Sequence, residues 1–478
     1  MRITILNEPH LEFANGSRHI DPRHGITNYG PADAQDTPVR TIRAGIVGPQ
    51  TAIEGVQRWL DSCREPINAK HSHLGHLYVP FPGFDTDRGF RSTIVWNSRL
   101  ERPINSRALK RLQGLNPLTA VQDAVNLYDA ELAALNEEPN CDVVIVCRPD
   151  DLPEQATPAQ DSTDGSPSSR TPSSEGMNFR SLLKARSMKY SQPIQILRRS
   201  TWDPTHKETA DAPVRQKQDE ATRAWNLHTA LYYKAGGVPW RLPRDPSDLT
   251  SCYVGVAFYR ALDEESLQTS VAQVFNQRGD GVIVRGGQAT VSKDDRQPHL
   301  SEDDAYALLE QALHQYRSEH RTTPARVVLH KTSSFTPAEI AGFNSAADSE
   351  HLSVLELVWI GGGESIRLFR RGEQPPLRGT LLTVTDERHI LYTRGSVPFY
   401  KPYPGMYVPT PLGFRTVETQ TSPEKLAEEI LSLTKMNWNQ TQLDARKPIT
   451  LRTADTVGDI LRHLAPGERP AARYAFYM

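Results

Sequence analysis

Arg180, Lys184, Gln195 and Lys234 have the types and spacing needed to hold a terminal phosphate. Such a group carries up to two negative charges and three exposed oxygens. Binding it tightly asks for two or three cationic donors plus a neutral amide, converging from separate elements. Arg180 and Lys184 stand four apart in FRSLLKARSM, so on a helix they project from one face. Gln195 follows on the short segment PIQILRR, and Lys234 ends a predicted helix, NLHTALYYK, just before Ala-Gly-Gly-Val-Pro-Trp. From Phe179 to Asp245 there are 13 Lys plus Arg against 6 Asp plus Glu, a local net of +7 in a chain whose formal net charge is −2. That asymmetry points to an anionic partner at this place. Charge alone fits an ordinary solvated basic face equally well; the arrangement of the four residues favours the phosphate.

The elements that must position these residues read as α/β. At 478 residues the chain is long for one domain, and the hydrophobic fraction of 37% allows real cores. Residues 1–40, rich in Pro, Gly, His and Asp, read as an extended arm leaning on another surface. Ile42–Val47 (IRAGIV) and Asp142–Cys147 (DVVIVC) read as buried strands, with helices over about Ala52–Cys63 and Leu118–Leu135. Strand–helix–strand order of this kind favours a parallel, doubly wound sheet. Residues 151–178, dominated by Pro, Ser, Thr, Gly and acids, read as a disordered insertion. A second α/β region starts near residue 250. Its predicted strands are Tyr253–Tyr259, Gly281–Arg285, Arg326–His330 and Val354–Ile360, and its helices lie near 302–319, 336–347, 423–435 and 454–464. The expected domains are the arm at 1–40, a first domain at 41–250 and a second at 251–478.

Composition removes several function classes. Cys63, Cys141, Cys147 and Cys252 form no CxxC pair, so neither a zinc site nor a disulfide framework is expected, and a reducing cytosol is the plain reading. No apolar run reaches the length of a membrane span, which makes a cytoplasmic protein the expectation. No GxGxxG or GxxxxGK[ST] follows a predicted strand, and Gly361-Gly362-Gly363 reads as a plain turn, so a Rossmann-type nucleotide enzyme lacks support.

Arg180, Lys184, Gln195 and Lys234-Ala-Gly-Gly, taken in order, resemble the guide 5′-phosphate pocket of the MID domain of Argonaute proteins; the gap from Gln195 to Lys234 is longer than usual. The stretches CYVGVAFYR, RVVLHKTSSFTPAEIAGF and MNWNQTQLDARKPITLRTADTVGDIL resemble a PIWI domain, the ribonuclease-H-like half of an Argonaute. The implied fold is a Rossmann-like MID domain followed by a ribonuclease-H-like PIWI domain. Cutting members hold two divalent metals with carboxylates. Their first Asp follows Gly and one apolar residue, where this chain has Gly255-Val256-Ala257. Their second sits in a strand-end turn, which here is His330-Lys331-Thr332. A methyl group cannot ligate a metal and an ammonium repels one. Asp455 approximates the last ligand near Pro448, about two residues out of register, and one carboxylate would not rebuild the site. An inactive PIWI fold is therefore expected. His330 and Lys331 either contact a nucleic-acid backbone or simply cap their strand.

The N-terminal stretch, YVPFPGF at 78–84 and the lack of room for a PAZ domain resemble the short prokaryotic Argonautes. That resemblance implies a 5′-phosphorylated guide RNA and a complementary single-stranded DNA target from plasmid or phage. It also implies a separately encoded APAZ-containing effector that degrades NAD, sirtuin-like in preference to TIR. It further implies Mg²⁺ bridging the first guide phosphates, with the Met478 carboxylate as a ligand. The competing expectation is an autonomous guide-directed nuclease with non-standard metal ligands.

Overall fold

Apolar and β-branched runs bounded by Gly and Pro become strands, and stretches with helical apolar spacing become the helices that cover them. The structure, a computed structural model, describes residues 1–478 except 139, 151, 153–176, 207–217, 246–247, 261–266, 277–280, 364, 404, 406–407, 442, 444, 453 and 465–467. The predicted insertion at 151–178 lies almost wholly outside the described residues.

The first 40 residues are more structured than an extended arm. Strand β1 (Arg2–Ile5) is followed by the short strands Leu11–Glu12 and Arg18–His19, then by helix α1 (Pro22–Tyr29). The start signal is Asp21-Pro22: the Asp21 carboxylate accepts from the Arg23 and His24 amides at 2.8 and 2.9 Å, and Pro22 occupies the first helical position.

Strand β2 (Arg40–Gly48) leads into α2 (Gln50–Ser62), then β3 (Ser92–Val95) and β4 (Glu101–Pro103). After α3 (Pro117–Asn136) come β5 (Val143–Cys147), α4 (Phe179–Ser187), β6 (Ile194–Leu197) and α5 (Glu220–Lys234). The strands form one parallel sheet in the order β3-β2-β5-β6, with β4 also on β2. Every residue of β5 is buried, as a parallel strand covered on both faces requires.

The second half is built on β7 (Ser251–Arg260), β8 (Leu267–Asn276), α6 (Glu302–His320), β9 (Arg326–Lys331), α7 (Pro337–Ser349) and β10 (Val354–Gly363). Strand β9 runs parallel to both β7 and β10, and β8 pairs antiparallel with β7. The sheet reaches 11 strands, ending on β1, which pairs with β11 (Thr380–Thr383). Helices α8 (Pro423–Leu433) and α9 (Ala454–Leu461) follow. Among the described residues no helix is long and apolar enough to cross a membrane.

One apolar cluster joins the two halves: Trp225 and Trp240 pack into the same core as Trp438, Phe476 and Tyr477. The arm is bolted to the second half by a buried charge cluster. The Glu8 carboxylate lies 2.9 Å from Arg378 Nε and 2.6 Å from Lys435 Nζ. Burial alone would raise the Glu8 carboxyl, yet Arg378 and Lys435 hold it below its ordinary value. Glu8→Ala leaves two buried cations uncompensated and should lower stability by about 3–5 kcal/mol, read as the shift in urea midpoint. Because the folded-state value is depressed, the clamp contributes fully above about pH 4.3 and is lost as the pH falls further.

Candidate nucleic-acid interface

Helix α4 opens with Asn178 as its cap, the side-chain oxygen accepting from the Ser181 amide at 2.8 Å. Its apolar residues face α3 and turn Lys184 inward, where it is 1% exposed. The Lys184 ammonium donates to the main-chain oxygens of Ile194 at 3.3 Å and Phe476 at 3.2 Å, and to that of Met478. One turn earlier, Arg180 Nη2 donates to Tyr477 O at 3.1 Å. Lys234, the last residue of α5, is also 1% exposed and donates to Gln195 Oε1 on β6. Helix α5 closes in a turn at Gly236, whose φ of 86° suits glycine.

The four sequence-predicted residues thus meet, carried by α4, β6 and α5, and the tail of the chain lies across them. Sequence reasoning missed Arg198 and Asp459, the charged neighbours of Arg180. Arg198 was marked only by the Arg-Arg pair after Gln195, and Asp459 by nothing local.

The cluster is electrostatically loaded. Burial pushes the Lys184 ammonium far below its ordinary value, and the charges of Lys234 and Arg180 push it further. Lys234 is lowered in the same way by burial and by Arg180. Burial also lowers Arg180, against the opposing pull of Asp459. The two lysines otherwise meet main-chain oxygens, one of them on Met478 at the chain end, and the Gln195 amide. Buried cations left so are stabilised by an incoming anion, and a phosphate dianion has the charge and the acceptors to do it.

At the second predicted centre, Ala257 is 3% exposed on β7 and offers no ligand atom. On β9, His330 and Lys331 lie in register with Gly255 and Val256. Lys331 is wholly buried, 2.7 Å from the equally buried Glu339 carboxylate and 2.6 Å from Ser334 O, with its ammonium over the rings of Phe258 and Phe335. Glu339 also accepts from the Leu300 and Thr336 amides, each at 2.9 Å. His330 Nδ1 sits 2.9 Å from Thr450 Oγ1, and burial takes the imidazole down to about 3, so it is neutral. Neither residue presents a polar group to solvent. The expected contact of His330 and Lys331 with a nucleic-acid backbone therefore gives way to internal roles, set by the apolar cover that β9 needs at the centre of the sheet. The Asp455 side chain lies outside what is described. Among the described residues the grouping of side chains suited to a metal is Glu310, His314 and Glu350, on the outer helices, where Arg317 already engages Glu350.

No protein-family model and no curated protein matches the chain. Solved structures do. Clostridium butyricum Argonaute, bound to a guide DNA and a 19-mer target DNA, matches with a TM-score of 0.65 at 14% identity over 98% of this chain and 53% of that one. Drosophila Piwi matches at 0.58 and 14% over 100% and 56%, and A. aeolicus Argonaute at 0.53 and 17% over 98% and 54%. The chain spans about half the length of these structures. Two predictions follow from the geometry. Above pH 7, where a terminal phosphate is dianionic, loading a 5′-phosphorylated strand should take up protons and weaken as the pH rises. Calorimetry in buffers of different ionisation enthalpy reads this directly. Lys331→Met should cost about 3–5 kcal/mol by stranding Glu339, measured by chemical unfolding. The parallel sheet of the first half and the mixed sheet of the second, traced together across the whole chain, give this protein an Argonaute-like MID–PIWI fold.

Proposed function

We propose that the chain is a guide-binding recognition subunit that grips the 5′-phosphate of a short guide RNA and detects complementary single-stranded DNA. The observation that carries this reading is the buried convergence of Arg180, Lys184 and Lys234 with the Gln195 amide. A fixed guide end pre-organises the first bases, so that they need not be ordered when a target arrives. Sequence is then read by base pairing, while the protein holds backbone and shape. The solved neighbours support this: one carries a guide and a target DNA, and another, "Aa-Ago", an externally bound siRNA.

In the same proposal the second sheet recognises without cutting, because Ala257 and Lys331 stand where metal-holding carboxylates would be needed. Catalysis then falls to a separate APAZ-containing effector that degrades NAD, sirtuin-like in preference to TIR, and recognition of plasmid or phage DNA triggers it. Mg²⁺ suits the hard main-chain oxygens of Phe476, Tyr477 and Met478. It would neutralise the first guide phosphates once a phosphate has drawn the Lys184 ammonium away from them.

Purified protein should retain short 5′-phosphorylated RNA, and Lys184→Ala with Lys234→Ala should lower retention at least tenfold, since each charge-assisted contact contributes about 1.5–3 kcal/mol. Normal retention by the double variant would refute the pocket. Guide-loaded protein incubated with complementary DNA and Mg²⁺ or Mn²⁺ should leave the DNA intact; a cut opposite the guide would establish the autonomous nuclease instead.

A further inference from the structure

A cavity lies away from the basic cluster and shares none of its four residues. It encloses about 640 Å³ beside Pro49, Arg148 and Arg199, where the chain leaves β2, β5 and β6 at their carboxyl ends. Ligands of doubly wound sheets bind at that edge, and the volume is that of a small-molecule site. Helix α2 begins here at Pro49 with no side-chain cap, so its first amides face the opening without a partner from a side chain.

The lining has the chemistry of a nucleotide site. Two buried donors, Trp59 Nε1 and Arg223 Nε, have no hydrogen-bond partner among the described residues, and Trp59 is only 5% exposed. A buried donor without an acceptor is costly, and a ligand oxygen would remove that cost. Arg223 is already held in place: its guanidinium lies 5.0 Å from the centroid of Trp59 and donates to Ser200 O at 3.3 Å and to Thr201 O. Arg58, exposed on α2, has no ion-pair partner among the described residues. Arg199 is braced from both sides by Asp150 at 3.1 Å and Asp203 at 2.8 Å. The half-buried Trp202 supplies an aromatic wall. Its ring rests on α2 at Gly55, where a Cβ would come within 2.2 Å of the ring, so the seat exists only because that residue is glycine. Glu220, at the start of α5, adds an acceptor suited to a ribose hydroxyl.

We propose that this cavity binds a mononucleotide, with the phosphate taken by Arg58, Arg223 and the first amides of α2, and the base set against Trp202. The site is independent of the guide 5′-phosphate cluster, and its test is designed to keep the two apart.

The test uses the full chain freed of nucleic acid, titrated calorimetrically with AMP, adenosine and inorganic phosphate. AMP should bind saturably, with adenosine and phosphate each about tenfold weaker or more, because each lacks half of the recognition. Arg58→Glu, an exposed change on α2, should weaken AMP about tenfold or more by reversing a phosphate contact. Trp202→Ala should weaken AMP while leaving inorganic phosphate unchanged. Circular dichroism melts confirm that both variants fold, and Arg58→Glu carries the test alone should Trp202→Ala unfold. The Lys184→Ala/Lys234→Ala double variant should keep its AMP site. Failure of AMP to bind at millimolar concentration would overturn the proposal. So would AMP binding that is untouched by Arg58→Glu, or that is abolished in the double lysine variant.

Discussion

The burial of two ammonium groups beside a guanidinium is the constraint on which the arrangement of this molecule turns. Lys184 and Lys234 are each 1% exposed, and among the described residues neither is paired with an Asp or Glu side chain. An uncompensated buried cation costs several kcal/mol, and a folded-state value below the unfolded one means that the unfolded chain binds more protons between those two values. The free protein therefore carries a cost at this place, which a dianion would cancel. Such stored cost is ordinary at binding sites and unusual in a purely structural core.

The same pocket couples the two halves. Its roof is the stretch Phe476–Met478, which arrives from the second sheet: the Ile283 amide donates to Ala472 O at 2.9 Å, and Val282 bridges to Arg473. Tyr474 then packs against Phe275 and Tyr233, so its ring touches a strand of the second sheet and the helix that presents Lys234. Whatever changes the hold of Lys184 on these carbonyls pulls on a segment anchored in both halves. The shared apolar core makes such a pull a matter of shifting one packed body.

Much of this was legible in the chain. The buried strands are continuous apolar runs, and α3, α6 and α7 carry apolar residues at helical spacing; each is found within about three residues of where the spacing puts it. The convergence of the basic residues was legible because Arg180 and Lys184 are one turn apart, and because Lys234 precedes a Gly-Gly turn that ends its helix. Charge pairs between distant segments were not. Glu8 with Arg378 and Lys435, and Lys331 with Glu339, are fixed by packing alone, and no local spacing encodes them. The arm was misjudged for a different reason: its helix is short, and its start signal, Asp21-Pro22, outweighs its weak periodicity. The nucleotide-sized cavity was invisible because Arg58 comes from α2 and Arg148 and Arg199 from beyond the ends of β5 and β6, and they meet only when the sheet is wound.

The Lys331–Glu339 pair shows how this sheet holds a buried acid near its centre. A site built from several carboxylates is stable only while cations hold the like charges together. With Ala257 in one strand and Lys331 in the next, the buried acid Glu339 is neutralised by a cation from the chain itself, 2.7 Å away. Its second oxygen is taken by the Thr336 amide, through which it also caps α7. Lys331 and Glu339 thereby balance each other's charge within the sheet. A carboxylate introduced at Ala257 would therefore meet a core whose cation is already engaged by Glu339.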